Sequence, residues 1–173
     1  MILIDGDIIA YRAGFSSNDL EATDAEAKVD ELIDTVIEDT EFISTDYQVY
    51  LTGKGNFRFD IAQTLPYKGN RKDAAKPIHL QHIRDYMTTK YEATVSEGEE
   101  ADDLIAIAAT KIGMKAVVAS IDKDMLQIPC FHYNITRREL SAVGEFSGTK
   151  FFYTQILTGD KADNIKGLHR CGP

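Results

Sequence analysis

The stretch Ile2-Leu3-Ile4-Asp5-Gly6 decides how the fold is read. Three apolar residues run unbroken and stop at an acid and a glycine. Such a run suits a strand buried on both faces, as in a parallel sheet. Asp5 then stands at the strand's carboxyl end, where sites form in open α/β sheets. Alone, an Asp-Gly pair is about as often a plain turn. What lifts it above that reading is the rest of the chain, where apolar runs stop at acids three more times. The clusters are Glu99-Glu100-Ala101-Asp102-Asp103, Asp122-Lys123-Asp124 and Asp160-Lys161-Ala162-Asp163.

Carboxylates packed this closely repel one another unless cations or protons neutralise them. Hard oxygen donors suit Mg²⁺ or Mn²⁺. Ordinary helix-dipole pairing accounts for one or two acids in a first helical turn. It accounts poorly for the four acids among residues 99–103. Asp5, Glu100, Asp102, Asp103, Asp122, Asp124, Asp160 and Asp163 are therefore candidate ligands of one metal site. Asp103 points furthest from the others on a helical wheel and ranks as the weaker ligand.

The remaining elements follow from periodicity. Thr23-x-x-Glu26 has capping-box spacing, and Ala25, Val29, Leu32, Ile33, Val36 and Ile37 recur at helical intervals behind it. Tyr47–Leu51 reads as a second strand and Lys115–Ala119 as another, ending at the Asp122 cluster. A helix is expected from about Ile78 to Tyr91. His79 and His82 on it are read as surface or packing residues, with no zinc-binding companion. Ser96-x-x-Glu99 offers a second capping box ahead of a helix with Ala101, Leu104, Ile105, Ala108 and Ala109 as its stripe. Phe131–Ile135 and Lys150–Phe152 read as later strands. No GxxxxGK[ST] phosphate loop is present.

The chain has 173 residues and a net charge of −9, enough for one domain with a real core. An acidic chain argues against a nucleic-acid partner. Setting the eight candidate ligands aside leaves only −1, so the acidity describes a site and not the binding surface. Residues 54–76 carry a local +4 from Lys54, Arg58, Lys68, Arg71, Lys72 and Lys76 against Asp60 and Asp73. At the centre lies Tyr67-Lys68-Gly69-Asn70-Arg71, cations that suit a phosphate backbone beside an aromatic available to stack on a base. A solvated loop is the plainer reading of such a charge run. Cys130 and Cys171 show no CxxC or zinc spacing, and reduced thiols fit a cytoplasmic setting. Neither a signal peptide nor a membrane-spanning stretch is expected.

Together, Leu3-Ile4-Asp5-Gly6, Tyr67-Lys68-Gly69-Asn70-Arg71, Glu100-Ala101-Asp102-Asp103, Ser120-Ile121-Asp122-Lys123-Asp124 and Gly159-Asp160-Lys161-Ala162-Asp163-Asn164 resemble, in order, the flap-endonuclease-like 5′ nucleases. The nearest forms are the bacteriophage 5′–3′ exonucleases and the 5′-nuclease domain of bacterial DNA polymerase I. The resemblance implies a PIN-like α/β fold, with a central, mainly parallel twisted sheet flanked by helices and a helical arch at about 68–90. It implies a catalytic domain over 1–158 and the start of a helix–hairpin–helix DNA-binding region over 159–173, in which Gly167 and Gly172 fit the motif's glycines. It implies hydrolysis of DNA, and of RNA–DNA hybrid, near 5′ ends, flaps and nicks, in replication and repair. The expected cofactors are two Mg²⁺ ions, replaceable by Mn²⁺, and K⁺ at a complete hairpin motif.

By the same resemblance Asp5, Glu100, Asp102 and Asp103 serve the first metal, Asp122 and Asp124 lie between or beside the two, and Asp160 and Asp163 serve the second. Lys68 and Arg71 hold the scissile phosphate, so Lys68, Arg71, Asp5 and Asp122 are the catalytic set. Tyr67, Lys68, Arg71, Lys72 and Lys76 are the DNA-binding set. A monomer in a bacterial or phage-infected cytoplasm is expected. The family usually carries another aspartate at the end of its second strand, where this chain has Leu51-Thr52-Gly53.

Two rival readings stand beside this one. Asp5-Gly6-Asp7 with Gly159-Asp160 imitates an aspartyl-phosphate phosphatase of the haloacid-dehalogenase type. That reading leaves Glu100, Asp102, Asp122 and Asp124 without a task. The absent strand-two aspartate also allows a catalytically impaired nucleic-acid-binding protein of the same fold.

Overall fold

The computed structural model describes residues 1–71 and 74–171, with the Arg71 side chain excepted. Its elements run β1 (Ile2–Asp5), α1 (Gly6–Ser16), α2 (Ala22–Thr40), β2 (Tyr47–Leu51), α3 (Arg58–Ile61), α4 (Leu80–Lys90), β3 (Thr94–Val95), α5 (Ala101–Ile112), β4 (Val117–Ala119), β5 (Phe131–Asn134), β6 (Glu139–Ala142), α6 (Glu145–Thr158), β7 (Gly159–Asp160) and β8 (Ile165–Lys166). Short 3₁₀ turns occupy Gly69–Arg71, Gly113–Lys115 and Lys123–Gln127.

The main sheet has the order β3-β2-β1-β4-β5-β6. All pairings are parallel except β5 with β6. The chain winds outward from β1 through β2 to β3, then returns to lay β4 on the other side of β1. The reversal falls between β1 and β4, and a crevice opens beyond their carboxyl ends. Asp5 and Ser120 flank that crevice.

Alternation along the strands divides the core, because neighbouring strand residues face opposite sides. Ile2 and Ile4 point into one layer with Ile9 and Ala13 of α1, Val29 and Ile33 of α2, and Ile83 and Met87 of α4. Leu3 points the other way, with Val118, against Ile105 and Ala109 of α5 and Met125 and Ile128. Each buried Ile, Leu, Val or Met among them contributes roughly 1.5–3 kcal/mol.

Several sequence expectations need correction. Lys150–Phe152 is not a strand but lies inside α6, which Gly144 caps. The box at the start of α2 is Glu21 with Asp24, not Thr23 with Glu26. The box at α5 is Glu100 with Asp103, while the Ser96 hydroxyl donates to the Glu99 carbonyl at 2.6 Å. The second half of the expected arch is α4, packed on α1 and α2 with Ile83 and Met87 fully buried, so it belongs to the wall of the domain. Residues 159–166 form a small antiparallel ribbon, and no helix–hairpin–helix is present among the described residues. Gly172 lies outside them. Cys130 is buried and Cys171 exposed, both as free thiols. Among the described residues no helix is long and apolar enough to cross a membrane.

Candidate functional site

The crevice is a cavity of about 680 Å³. Glu100, Asp102, Asp103, Asp122, Asp124, Asp160 and Asp163 line it, so seven of the eight candidate ligands share one wall-to-wall space. Asp5, only 3% exposed, belongs to the strand end beneath them and interacts electrostatically with Asp102 and Asp122. The acids come from a strand end, a helix start, a 3₁₀ turn and a ribbon.

Asp5 caps α1, accepting from the Ile8 amide at 3.2 Å and from the Ser120 hydroxyl at 2.7 Å. Burial nevertheless raises its pKa to about 6, with the Asp7 and Asp122 charges adding to the shift. Asp102 goes further, to about 8, through burial and then repulsion from Asp5, Asp122 and Glu100. Among the described residues no hydrogen-bond donor serves the Asp102 carboxylate. Asp122 accepts from the Asp124 amide at 2.8 Å. Burial also raises Asp124, whose Oδ1 accepts from Gln155 at 2.6 Å.

The outer acids are satisfied differently. Arg58 forks onto Asp103 through both terminal nitrogens at 2.7 Å, holding that carboxyl below its ordinary range. Lys68 Nζ donates to Glu100 Oε1 at 2.7 Å, and Asn56 donates to the same oxygen at 2.8 Å. Lys123 Nζ donates to Asp160 at 2.9 Å, as does Gln155. Although burial opposes it, the Lys123 bond leads the effects that hold Asp160 below the usual carboxylate range.

The basic loop is fastened to the ribbon. The Lys68 amide donates to the Asp163 carbonyl at 3.1 Å, and Asn164 donates to the Pro66 carbonyl at 3.0 Å. Lys68 holds a left-handed backbone with φ 49°, uncommon for a residue with a side chain. That conformation, anchored on both sides, aims its ammonium into the crevice.

Tyr67 differs from expectation. It is buried, and its hydroxyl donates to Glu100 at 3.0 Å and to Asp163 at 3.1 Å. A ring held this way braces acids and offers no face for stacking on a base. Lys76 is exposed and does not line the cavity. The Arg71 side chain and all of Lys72 lie outside the described residues.

Sequence reasoning missed Arg58, Asn56, Ser120, Lys123 and Gln155 as site residues. Ser120 carried the one available signal, since it sits at the end of β4 just as Asp5 sits at the end of β1.

The donor set consists of hard carboxylate oxygens, and among the described residues Asp5, Asp102 and Asp122 form no ion pair. That chemistry fits divalent cations. Among the described residues, no group of three or more His, Cys, Asp or Glu side chains is placed closely enough to hold an ion as it stands. The phosphatase reading fares badly. Asp7, its expected second acid, is occupied on both oxygens, by the Thr52 amide at 2.9 Å and by the Arg84 guanidinium.

Comparison with known proteins agrees with this geometry. The chain is 31% identical to flap endonuclease Xni of Shewanella piezotolerans over 62% of this chain and 48% of that protein. It is 30% identical to DNA polymerase I of Bacillus caldotenax over 99% of this chain and 22% of the polymerase. The chain thus spans about half the length of the flap endonucleases it matches. In three dimensions it resembles the zinc-bound bacteriophage T5 5′-exonuclease, with a TM-score of 0.76 and 19% identity over 99% of this chain and 71% of that one. It also resembles a T5 flap endonuclease complexed with DNA and metal ions, with a TM-score of 0.69 and 18% identity over 98% of this chain and 70% of that one. These structural likenesses establish the fold, and none of the matches favours the phosphatase or the binding-only reading. The family model of the 5′-3′ exonuclease N-terminal, resolvase-like domain matches residues 1–156, and the chain belongs to that family.

Proposed function

We propose that this chain is a structure-specific 5′ nuclease that hydrolyses DNA phosphodiesters near 5′ ends and flaps with two Mg²⁺ ions. The observation that carries the reading is the central trio Asp5, Asp102 and Asp122. Burial and repulsion push Asp5 to about 6 and Asp102 to about 8, a cost that binding of divalent cations relieves. Bound divalent cations supply Lewis acidity for the attacking water and for the leaving oxygen.

The chain's own residues do the rest. Asp5, Asp102, Asp122 and Asp124 would hold the ions, with Glu100, Asp160 and Asp163 at the edges. Asp103 keeps Arg58 in place and is the poorest ligand of the set. Lys68, fixed by its backbone, exchanges Glu100 for the scissile phosphate and stabilises charge there. Arg71 is assigned to the same phosphate, and Lys72 and Lys76 to the strand leading away from it. Residues 1–158 form the body of the catalytic domain, with Asp160 and Asp163 added from the ribbon beyond. DNA is the assigned substrate, RNA–DNA hybrid a further one, and Mn²⁺ is expected to replace Mg²⁺. A cytoplasmic monomer fits the two free thiols.

The test is cleavage of a labelled 5′-flap DNA in Mg²⁺, in Mn²⁺ and in EDTA. Metal-dependent cutting near the junction supports the reading. Cutting that persists in EDTA, or undiminished cutting by Asp5→Asn or Asp122→Asn, refutes it.

A further inference from the structure

Asp7 and Arg84 stand outside the carboxylate trio, yet they converge on the same end of the sheet. Arg84 belongs to α4, whose other polar contacts, such as Lys90 and Tyr86 on Asp30, run to α2. Its guanidinium donates to Asp7 Oδ1 through Nη1 and to the Thr52 carbonyl through Nη2. Asp7 Oδ2 accepts from the Thr52 amide at 2.9 Å, closing a ring of three residues. The third polar group of Thr52, its hydroxyl, accepts from the Ala101 amide at 3.0 Å. Ala101 is the first residue of α5 and lies between Glu100 and Asp102.

The neighbouring stitches run the same way. The Gly53 amide donates to the Ser96 hydroxyl at 3.0 Å, and the Ser96 amide donates to the Leu51 carbonyl at 2.9 Å. A side chain at Gly53 has no room, since its Cβ would lie 1.9 Å from the Ser96 carbonyl oxygen. The end of β2 therefore presents no carboxylate to the cleft. It serves as a rigid coupling instead.

We propose that Arg84 is a positioning residue: through Asp7 and Thr52 it fixes the first turn of α5, and so the placement of Asp102 relative to Asp5. Both ends of the linkage adjoin the trio in sequence. Asp7 is two residues from Asp5 along α1, and Ala101 is adjacent to Asp102. An arginine suits the task because its rigid planar fork presents one nitrogen to the carboxylate and the other to the carbonyl, where a lysine offers a single ammonium on a flexible stem. The catalytic consequence rests on the nuclease reading; the mechanical coupling does not.

The experiment compares Arg84→Gln, Arg84→Lys and Asp7→Asn with the parent chain by three readouts. Amide hydrogen exchange is followed at Thr52 and through 101–104. Mn²⁺ affinity is titrated without DNA. The constants kcat and KM are measured on 5′-flap DNA. Arg84→Gln is expected to speed exchange in the first turn of α5 while β4 and β5 keep their protection. Mn²⁺ binding should weaken about tenfold, as when support behind a metal ligand is lost. The kcat should fall roughly ten- to a hundredfold with KM within about twofold, the pattern of misplaced catalytic groups. Arg84→Lys should recover part of each loss, and the double variant with Asp7→Asn should be no worse than Arg84→Gln alone.

The proposal is overturned if exchange in 101–104 and Mn²⁺ affinity stay at parental values, or if the loss falls wholly on KM. Should Arg84→Gln fail to fold, Arg84→Lys decides by the same criteria. If the parent chain neither binds Mn²⁺ nor cuts DNA, the nuclease reading falls. The exchange data then decide the coupling by themselves.

Discussion

Replacing Asp102 by Asn should destroy cleavage and at the same time stabilise the metal-free protein at neutral pH. In the folded chain the Asp102 pKa is lifted from 3.8 to about 8, chiefly by burial and then by the charges of Asp5, Asp122 and Glu100. A carboxylate whose folded pKa exceeds its unfolded value costs stability as the pH climbs past the unfolded value. The loss grows until the pH reaches the folded value. Between pH 4 and pH 7 about three pH units of that window are crossed, worth about 4 kcal/mol. Asp5, raised to about 6, shares the repulsion, so an amide at residue 102 relieves both groups. We expect Asp102→Asn to gain roughly 2–4 kcal/mol at pH 7 in EDTA and only about 0.5 kcal/mol at pH 4, where the folded carboxyl is protonated and the unfolded one is only about half ionised. Urea unfolding at the two pH values measures the difference. Mn²⁺ should raise the parent's midpoint at pH 7 and move the variant's much less. An equal gain at both pH values, or none at pH 7, would refute the electrostatic account of this cleft.

Three further outcomes follow from the same geometry. Lys68→Ala should slow flap cleavage by about 10²–10³-fold while DNA affinity changes little, because one aimed cation is lost from the phosphate; a loss confined to affinity would place Lys68 on the DNA backbone instead. Arg58→Ala removes the fork on Asp103 and should cost roughly 1–3 kcal/mol in urea unfolding, whereas a change below about 0.5 kcal/mol would make the pair an ordinary surface contact. Gly53→Asp, which supplies an acid where the family usually has one, should not improve activity. Its Cβ would lie 1.9 Å from the Ser96 carbonyl oxygen, so a lowered midpoint and weaker Mn²⁺ binding are expected, and faster cleavage would contradict the packing described.

How much of this was legible in the sequence depended on distance along the chain. Asp5, Asp122 and the acids of 99–103 could be read because each ends a local apolar pattern, and the end of a strand or the start of a helix fixes where a residue points. Their convergence followed from the parallel sheet alone. The cations could not be read in the same way. Arg58 meets Asp103, 45 residues away, and Lys123 meets Asp160, 37 residues away. Such partners depend on which loops come to lie side by side, and no periodicity encodes that. Tyr67 was misleading for a related reason. An aromatic between cations suits stacking, but its hydroxyl found two acids and the ring turned inward. The Lys150–Phe152 run reads as a strand by composition, yet it continues a helix. Phe152 and Ile156, four residues apart, both line the cavity, the spacing of one helical face.

The distribution of charge partners explains why so acidic a crevice can fold at all. Four acids around it have a cation of the protein's own: Asp103 has Arg58, Glu100 has Lys68, Asp160 has Lys123 and Asp7 has Arg84. Among the described residues no ion pair is formed by the three acids at its centre. Asp5 has a hydroxyl and an amide, Asp122 an amide, and Asp102 no hydrogen-bond donor among the described residues. Repulsion is thus removed wherever the chain can remove it locally, and what remains is focused on three carboxylates between β1, α5 and β4. Adding a cation there by mutation would stabilise the fold and block the centre. Leaving it out keeps the centre open to ions from solution, which is the condition a metal-dependent site requires. The edge pairs then have a second consequence. Glu100 accepts from Asn56 and Tyr67 as well as from Lys68, so the carboxylate keeps two donors if the ammonium turns to a phosphate.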